Sequence, residues 1–317
     1  MIYLESPSTD PYFNLALEEY VFESLDQSKS YFMLWHNDNT IVVGKYQNTA
    51  EEVNQTYVDQ HGIRVARRLS GGGAVYHDKG NLNFTFIMDK KENPDFDFKL
   101  FTLPVIRCLK QFGIEAQFNG RNDMTINGQK FSGNSQYMKQ GRIMHHGCIM
   151  LDSDLSVVAK ALRVKPAKFD SKSVKSVRSR VTTINSNAPK PISMEEFKRG
   201  LLEEVGKSEP LVYQDLTALD LQAVARLQTG KYSTWEWNYG FSADYDMRRE
   251  AKFPAGLVTA HLSVRHGVIL SARLFGDFFG NGDLSELEHA LEGLVLDESL
   301  AQALEPLEIG RYINGIT

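Results

Sequence analysis

The sequence contains little cysteine and no long apolar run. Cys108 and Cys148 are the two cysteines among 317 residues, too few for a disulfide framework or a four-cysteine zinc site. Unpaired thiols are typical of a reducing compartment, so we expect a cytoplasmic protein. Residues 1–7 lack the basic start of a signal peptide, and no apolar stretch approaches the roughly 18 residues that span a bilayer. We therefore expect neither a secreted mini-protein nor a membrane protein.

Neither sign of charge dominates the chain. The net charge is −5, from 35 basic and 40 acidic side chains, and this balance does not favour a nucleic-acid binder. Six basic and eleven acidic residues lie between residue 245 and the C-terminus, so the acidity is confined to the last quarter. At about 150 residues per domain, the length suggests two domains. The charge asymmetry favours a boundary near residues 241–256, and we predict domains over residues 1–245 and 250–317.

Hydrophobic spacing predicts a mixture of helices and strands in the first domain. Asp10 and Pro11 are typical of a helix start, and Ser193 with Glu196 fits a capping box. We predict helices over residues 11–25, 103–112, from 194 onward and 217–228, and strands over residues 31–35, 40–43, 63–66, 74–76 and, half-buried, 82–88. This mixture indicates an α/β or α+β sheet domain.

The acidic tail has a pattern of its own. Residues 257–264 and 268–275 are predicted to form two strands joined by a turn at residues 265–267. A helical stripe follows at residues 287–294, and a second short helix is predicted around residues 300–304. Two strands and two helices in about 65 residues suit a small accessory domain.

The most informative segment is RRLSGGGAVYHD at residues 67–78, followed by GNLNF at residues 80–84. Three consecutive glycines allow the backbone to approach a ligand closely, and successive N–H groups can bind an anion. The paired Arg67 and Arg68 add charge suited to phosphate or carboxylate. A bare glycine triplet is more often a tight turn, but these flanking residues favour a ligand site. The spacing matches neither a P-loop nor a dinucleotide fingerprint, and Ser70 does not lie in a nucleophile elbow.

A second polar segment, NGRNDMTINGQKFSGN, covers residues 119–134. Its Asn-Gly pair is a hairpin signal, which places Lys130 at the start of a strand, seven residues after Asp123. A lysine there can bind a carboxylate or phosphate, although taken alone a solvated strand-edge lysine is the simpler interpretation. Farther on, His145 and His146 are adjacent on a predicted strand and point to opposite faces. We expect one to be packed and the other to face a site.

A basic run covers residues 163–180, with seven basic residues, one acidic residue and no apolar periodicity. We predict a loop. It is either a solvated charged surface or a ligand-binding loop, and it offers little stacking surface for nucleic acid. Trp35 and Trp237 are interpreted as core or pocket wall rather than as reacting groups.

Five segments in order resemble the lipoate–protein ligase family: RRLSGGGAVYHDKGNLNF, NGRNDMTINGQKFSGNS, HHGCIMLDSDL, KSVKSVRSRVTTI and KYSTWEWNYG. The similarity extends over nearly the whole chain. The tail, with RLFGDFFG at residues 273–280, resembles the C-terminal accessory domain of the family's two-domain form. The resemblance implies a mixed-sheet catalytic domain of the biotin/lipoate–protein ligase fold, followed by a small α/β domain.

The resemblance also implies a reaction in two steps. Lipoate and ATP, with Mg²⁺, give lipoyl-AMP and pyrophosphate, and a lysine amine of a lipoyl carrier domain then attacks the mixed anhydride. The implied carriers are the lipoyl domains of 2-oxoacid dehydrogenase complexes and the glycine cleavage H protein. Neither nucleic acid nor membrane is implied as a partner.

The family motifs give individual residues their expected roles. Lys130 matches the lysine that contacts carboxyl and phosphate oxygens, and Asp123 matches a polar residue near the adenylate and its metal. We assign both as catalytic, and Asp123 also as a metal ligand. The acceptor amine must lose a proton, for which His77 and His146 are candidates. The expected substrate- and ATP-binding residues are Arg67, Arg68, Ser70, Gly71, Gly72, Gly73, Ala74, Val75, His77, Asn81, Asn83, Asn122, Ser132, Gly133, His146, Lys175, Arg178 and Arg180.

Two positions depart from the family pattern and leave alternatives open. Thr183 lies where an asparagine is expected, and Cys148 lies where a hydroxyl or apolar residue is usual. A cysteine there is compatible with an ATP-independent octanoyl or lipoyl transferase of the same fold, in which Cys148 would be the nucleophile. A non-catalytic lipoate- or carrier-binding protein is an alternative of another class. The accessory tail, the basic run and Lys130 favour the ligase. The sequence does not decide between lipoate and octanoate.

Overall fold

Two sheets form the framework of the N-terminal part of the computed structural model. The structure describes residues 1–90, 97–120, 122–162, 180–240, 246–280, 283–296, 300–307 and 309–313. The strands of this part are β1 (Ile2–Glu5), β2 (Tyr31–Trp35), β3 (Thr40–Val43), β4 (Arg64–Arg67), β5 (Val75–His77), β6 (Asn81–Asp89), β7 (Ala116–Asn119), β8 (Asp123–Ile126), β9 (Gln129–Lys139), β10 (Arg142–Met150) and β11 (Val212–Tyr213). Among the described residues, eight strands form a mixed sheet in the order β11-β1-β2-β6-β10-β9-β8-β7, and three form a second sheet in the order β4-β3-β5.

Helices cover both faces of the large sheet. The helices of this part are α1 (Pro11–Glu23), α2 (Thr49–Glu52), α3 (Gln55–Gln60), α4 (Phe98–Gln111), α5 (Leu155–Ala161), α6 (Met194–Ser208), α7 (Ala218–Leu227), a π-helical turn (Gln228–Tyr232) and α8 (Trp235–Asn238). Of these, α3 and α5 pack with the smaller sheet. Alternate residues of β2 enter two separate cores. Phe32 and Leu34 pack with α4 and α6, whereas Met33 and Trp35 pack with α1 and α7. The sheet is therefore the middle of three layers.

This layering corrects the prediction for residues 82–88. The strand was expected to be half-buried, but eight of the nine residues of β6 are buried. The prediction was wrong because β6 lies between β2 and β10, and helices cover both of its faces. The predicted strands at residues 31–35 and 40–43 are confirmed at their stated bounds.

Local capping explains where the predicted helices begin. The Asp10 carboxylate accepts a hydrogen bond from the N–H of Tyr12, with Pro11 at the first turn of α1. The capping box of Ser193 and Glu196 is present at the start of α6. The helix predicted from residue 103 instead begins at Phe98, because the Asp97 carboxylate accepts from the N–H of Lys99.

The C-terminal part is a separate small sheet with helices. Its strands are β12 (Met247–Phe253), β13 (Gly256–Arg265) and β14 (Val268–Gly276), antiparallel in that order, and its helices are α9 (Leu284–Leu291) and α10 (Leu300–Leu304). The turn predicted at residues 265–267 is confirmed, with positive φ at His266 and Gly267. β12 was not predicted, because its polar sequence MRREAKF forms an exposed edge. In the described residues, no helix combines the length and apolarity needed to cross a membrane.

Candidate active site

A pocket runs across the large sheet on the face covered by α1. Its floor follows one row of paired residues on neighbouring strands: Trp35 pairs with Asn83, Asn83 with Cys148, and Cys148 with Gly133. Three strand spacings of about 4.8 Å give the row a length of about 14 Å. At the Trp35 end the wall includes the apolar Leu15 and Val42, and the His77 ring lies beside Trp35. At the other end the wall carries polar and charged groups.

Most of the predicted binding residues line this pocket. The predicted residues in its wall are Arg68, Gly72, Gly73, Ala74, Val75, His77, Asn83, Asn122, Lys130, Gly133 and His146. Motifs distant in sequence, from β4 to β10, are thus brought to one site. Trp35 is a wall residue as expected, and Cys148 also lines the pocket. The wall residues that sequence reasoning missed are Leu15, Val42, Asn134, Ser135 and Gly147.

The glycine segment connects β4 to β5 and is held by its own arginine. The Arg68 guanidinium donates from Nη2 to the carbonyl oxygens of Gly71 and Gly73, at 2.6 and 2.8 Å, and from Nε to Ser70 Oγ at 3.1 Å. Burial lowers the pKa of Arg68 to about 10, an effect opposed by electrostatic interactions with Cys148 and Glu18, so the guanidinium stays charged at neutral pH. A fixed cation therefore lies in the pocket wall with most of its donors bound to the loop.

Arg67 points away from the pocket. Its side chain is fully buried and donates to the carbonyl oxygens of Gly44, Gln47 and Trp237, among others, and to Thr49 Oγ1. Asn238 accepts from the backbone N–H of Arg67 at 2.8 Å. The segment KYSTWEWNYG thus anchors the start of the glycine segment. This position gives Arg67 a structural role, and its predicted contact with substrate remains a prediction.

The C-terminal part packs directly on the glycine segment. The N–H of Gly72 donates to the carbonyl oxygen of Phe278 at 3.3 Å, and the Phe278 ring stacks on Tyr46 with centroids 4.9 Å apart. A Cβ at Gly71 would lie 2.3 Å from that same carbonyl oxygen. Gly71 therefore allows this close approach of two backbones; it does not line the pocket.

Lys130 and Asp123 form the charged end of the site. Lys130 Nζ lies 2.7 Å from Asp123 Oδ1, and both side chains are about one-third exposed. A Cβ at Gly133 would lie 2.9 Å from Lys130 Nζ, so glycine leaves room for the ammonium. The N–H of Thr182 donates to the carbonyl oxygen of Lys130 at 2.8 Å. The end of the predicted basic loop, which includes the exposed Arg180, therefore adjoins Lys130.

His77 and Asn83 present unpaired donors to the pocket. Asn37 Nδ2 donates to His77 Nδ1 at 3.2 Å, which assigns the ring proton to Nε2. His77 Nε2 and Asn83 Nδ2 are buried without a hydrogen-bond partner in the part of the chain that the structure describes. Burial, with smaller contributions from Arg68 and His146, lowers the pKa of His77 to about 3, so the ring is neutral. Two unpaired buried donors favour a ligand rich in acceptor oxygens.

The two adjacent histidines separate as predicted. His145 is packed among aromatic rings, and burial holds its pKa well below the usual value. His146 faces the pocket, where its Nε2 lies 2.6 Å from Ser70 Oγ and its Nδ1 lies 3.0 Å from Glu18 Oε1. Both nitrogens of His146 are therefore engaged by protein groups. In this arrangement neither His77, with Nε2 protonated, nor His146 is free to accept a proton from an incoming amine.

The remaining predicted site residues lie around the pocket or outside the described residues. Asn81 donates to Asn83 Oδ1 at 3.0 Å. Ser132 Oγ accepts a hydrogen bond from Nδ2 of the pocket residue Asn134 at 3.4 Å. Asp123 forms an ion pair with the pocket residue Lys130. Ser70 forms hydrogen bonds with the pocket residues Arg68 and His146. Lys175 and Arg178 lie outside the described residues, so their predicted roles remain predictions.

The described residues contain no group of three or more carboxylates, histidines or cysteines placed to hold a metal ion. Mg²⁺ commonly binds one or two protein carboxylates together with the phosphates of a nucleotide. Asp123, at the charged end of the pocket, fits that limited role. The geometry as a whole suits an elongated ligand with an apolar end and an anionic end.

Comparisons with known proteins agree with this geometry. Residues 10–206 match the family described as the lipoyl protein ligase A/B catalytic domain, and residues 242–317 match the bacterial lipoate protein ligase C-terminus. Lipoate–protein ligase 1 of Staphylococcus aureus is 46% identical over 310 residues, covering 97% of this chain and 94% of that protein.

Solved structures of similar fold include a bi-partite lipoate protein ligase of Thermoplasma acidophilum, studied with its E2 lipoyl domain. It is 28% identical with a TM-score of 0.67, covering 78% of this chain and 98% of that one. A lipoate-protein ligase A bound with ATP is 26% identical with a TM-score of 0.65, covering 75% of this chain and 97% of that one. The chain therefore belongs to the lipoate–protein ligase family of enzymes, and it contains both the catalytic and the C-terminal regions of that family.

Proposed function

We propose that this protein joins lipoate to a lysine of a lipoyl carrier domain in two steps driven by ATP. In the first, a lipoate carboxylate oxygen attacks the α-phosphorus of ATP, and the bond to pyrophosphate breaks. In the second, the carrier amine attacks the acyl carbon, an amide forms and AMP leaves. The observation that carries the proposal is a pocket with an apolar end at Trp35 and a charged end at Lys130. ATP is the nucleotide bound in the similar ligase A structure.

The charges of the site suit the first step. Lys130 would bind the carboxylate and the α-phosphate, two anions that otherwise repel each other. His77 Nε2–H and Asn83 Nδ2–H, nearer to Trp35, are further donors for polar atoms of the bound substrate. These groups are fixed before substrate arrives, because Asp123 holds Lys130 and Asn37 holds His77. The dithiolane end of lipoate would lie towards Leu15, Val42 and Trp35.

The proposed reaction needs a metal ion and a carrier protein besides this chain. Asp123 would hold Mg²⁺ together with the phosphates of ATP, and the ion would neutralise charge on the departing pyrophosphate. The carriers would be lipoyl domains of 2-oxoacid dehydrogenase complexes and the glycine cleavage H protein. An E2 lipoyl domain accompanies the related ligase of Thermoplasma acidophilum. Cys108 and Cys148, both free thiols, favour a cytoplasmic location.

The names of the relatives do not favour the two alternative functions. Pyrophosphate release from ATP, measured with lipoate and with and without a lipoyl carrier domain, tests the proposal, together with the mass of the carrier. We expect release that depends on lipoate and a carrier heavier by one lipoyl group. Acyl transfer from a thioester without ATP would instead identify a transferase. Lipoate binding without either reaction would identify a non-catalytic protein.

A further inference from the structure

Two chains of hydrogen bonds, one from Trp35 and one from Arg68, lead from the pocket wall to one buried carboxylate. In the first, Trp35 Nε1 donates to Thr85 Oγ1 at 2.9 Å, and Thr85 Oγ1 donates to Glu18 Oε1 at 2.5 Å. In the second, Arg68 Nε contacts Ser70 Oγ, Ser70 Oγ contacts His146 Nε2, and His146 Nδ1 contacts Glu18. Glu18 is 2% exposed and does not itself line the pocket.

The direction of every bond in these chains is fixed by their outer ends. The Trp35 indole and the Arg68 guanidinium donate hydrogen bonds and cannot accept them. A hydroxyl can accept twice but donates once. In the described residues the Thr85 proton has no acceptor other than Glu18, and the Ser70 proton none other than His146 Nε2. His146 therefore accepts at Nε2 and donates from Nδ1. All donors therefore point inward to Glu18. His146 Nδ1 lies 3.0 and 3.2 Å from the two oxygens of Glu18. An ionised carboxylate offers an acceptor at both positions, whereas a protonated acid or an amide places a donor at one of them.

We propose that Glu18 is a positioning residue, the ionised carboxylate that orients the pocket residues Trp35 and Arg68 and fixes the Nδ1–H tautomer of His146. The inference rests on the proposed function for its effect on catalysis, but not for its effect on His146. Its charge also balances that of Arg68, since both are buried and joined through two intervening groups. Ser70 is not a nucleophile in this arrangement, because it is 1% exposed and does not line the pocket.

The Glu18→Gln substitution tests this assignment with minimal change in shape. An amide oxygen at the Oε1 position can still accept from Thr85, but the amide NH₂ then takes the Oε2 position, 3.2 Å from His146 Nδ1. A donor there opposes an Nδ1–H and favours the other tautomer. The ring proton moves to Nε2, and the hydrogen of Ser70 loses its acceptor. We expect two-bond ¹H–¹⁵N spectra of histidine-labelled protein to show the Nδ1–H tautomer of His146 in the wild type and the Nε2–H tautomer in the variant, with His146→Asn used to assign the resonance.

The same variant is then assayed for pyrophosphate release. We expect kcat/KM for lipoate to fall at least about tenfold, because small displacements of positioned groups are costly. Glu23→Gln, on the same helix but paired at the surface with Lys139, is the matched control and should remain within about twofold of wild type on the same reasoning.

Three outcomes would overturn the inference. One is the Nε2–H tautomer in the wild-type protein. Another is an unchanged tautomer and kcat/KM in Glu18→Gln. If that variant does not fold, Ser70→Ala serves instead: it cuts the Arg68 chain but leaves Glu18 on His146, so the Nδ1–H tautomer should persist, and its loss is the third. A wild-type protein that releases no pyrophosphate would contradict the proposed function, while the tautomer would still test Glu18.

Discussion

Lys130 Nζ lies 2.7 Å from Asp123 Oδ1 at the charged end of the pocket. The pair is one-third exposed, so its own contribution to stability is small. Its importance is that the carboxylate orients the ammonium, while Gly133 leaves the ammonium room. A cation already in place does not have to be ordered when two substrate anions arrive.

We expect Lys130→Ala to reduce pyrophosphate release by at least about a hundredfold, since the loss of one preorganised charged donor typically has that effect. The assay is ATP- and lipoate-dependent pyrophosphate release under saturating substrates. Lys139→Ala, at the far end of the same strand and paired with Glu23, should leave the rate near that of wild type. A Lys130→Ala protein with near wild-type release would refute the role of Lys130.

Asp123→Asn separates two roles of the carboxylate. If Asp123 holds Mg²⁺ with the phosphates of ATP, the Mg²⁺ concentration for half-maximal pyrophosphate release should rise about tenfold or more, because a charged ligand becomes neutral. The measurement is a titration of free Mg²⁺ at constant ATP. A reduced rate with an unchanged Mg²⁺ midpoint would mean that Asp123 acts through Lys130 alone.

We expect Cys148→Ala to keep ATP-dependent transfer to the carrier. The side chain lines the pocket, but adenylation and amide formation need no thiol nucleophile. The measurement is the mass of the carrier after reaction with wild type and variant, alongside thermal unfolding of both. A folded variant that has lost all transfer would contradict this prediction and would favour a transferase that uses Cys148 and a thioester donor.

The buried His77 should make stability depend on pH. Burial lowers its pKa from 6.5 to about 3, so the folded protein keeps the ring neutral while the unfolded chain binds a proton below pH 6.5. The free energy of unfolding therefore falls as pH drops through that window, by up to about 1.4 kcal/mol per pH unit from this group. Urea unfolding between pH 7 and 5 should show a shallower loss for His77→Gln than for wild type. Equal slopes would count against a neutral His77.

Asn238→Ala should destabilise the protein by about 1–3 kcal/mol, the usual effect of leaving buried polar groups unpaired. Asn238 accepts from the N–H of Arg67 and donates to the carbonyl oxygens of Tyr232 and Thr234. Denaturant unfolding measures the change, and the exposed neighbour Glu236→Ala is the control. A variant as stable as the control would show that these bonds contribute little.

The sequence predicts much of the pocket lining but not the buried residues that hold the lining in place. Consecutive glycines and an Asn-Gly turn have distinctive backbone requirements, so their segments could be located from the sequence alone. The role of Lys130 came from the resemblance to the family. Glu18 has no such signal, because a glutamate on a helix normally indicates a solvated face. Glu18 is buried because it contacts Thr85 on β6 and His146 on β10, two strands distant from it in the sequence. The adjacent Arg67 and Arg68 illustrate the same limit: the pattern marks both, and only tertiary packing sends one into the core.

The buried guanidinium of Arg67 also determines where this protein can be cut. The matched catalytic family region ends at residue 206, yet two of the acceptors of Arg67 are the carbonyl oxygens of Trp237 and Asn238. A fragment ending at the family boundary would leave a buried cation short of acceptors and the sheet without β11, which pairs with β1. A catalytic fragment intended for expression, crystallisation or labelling should therefore extend past residue 238.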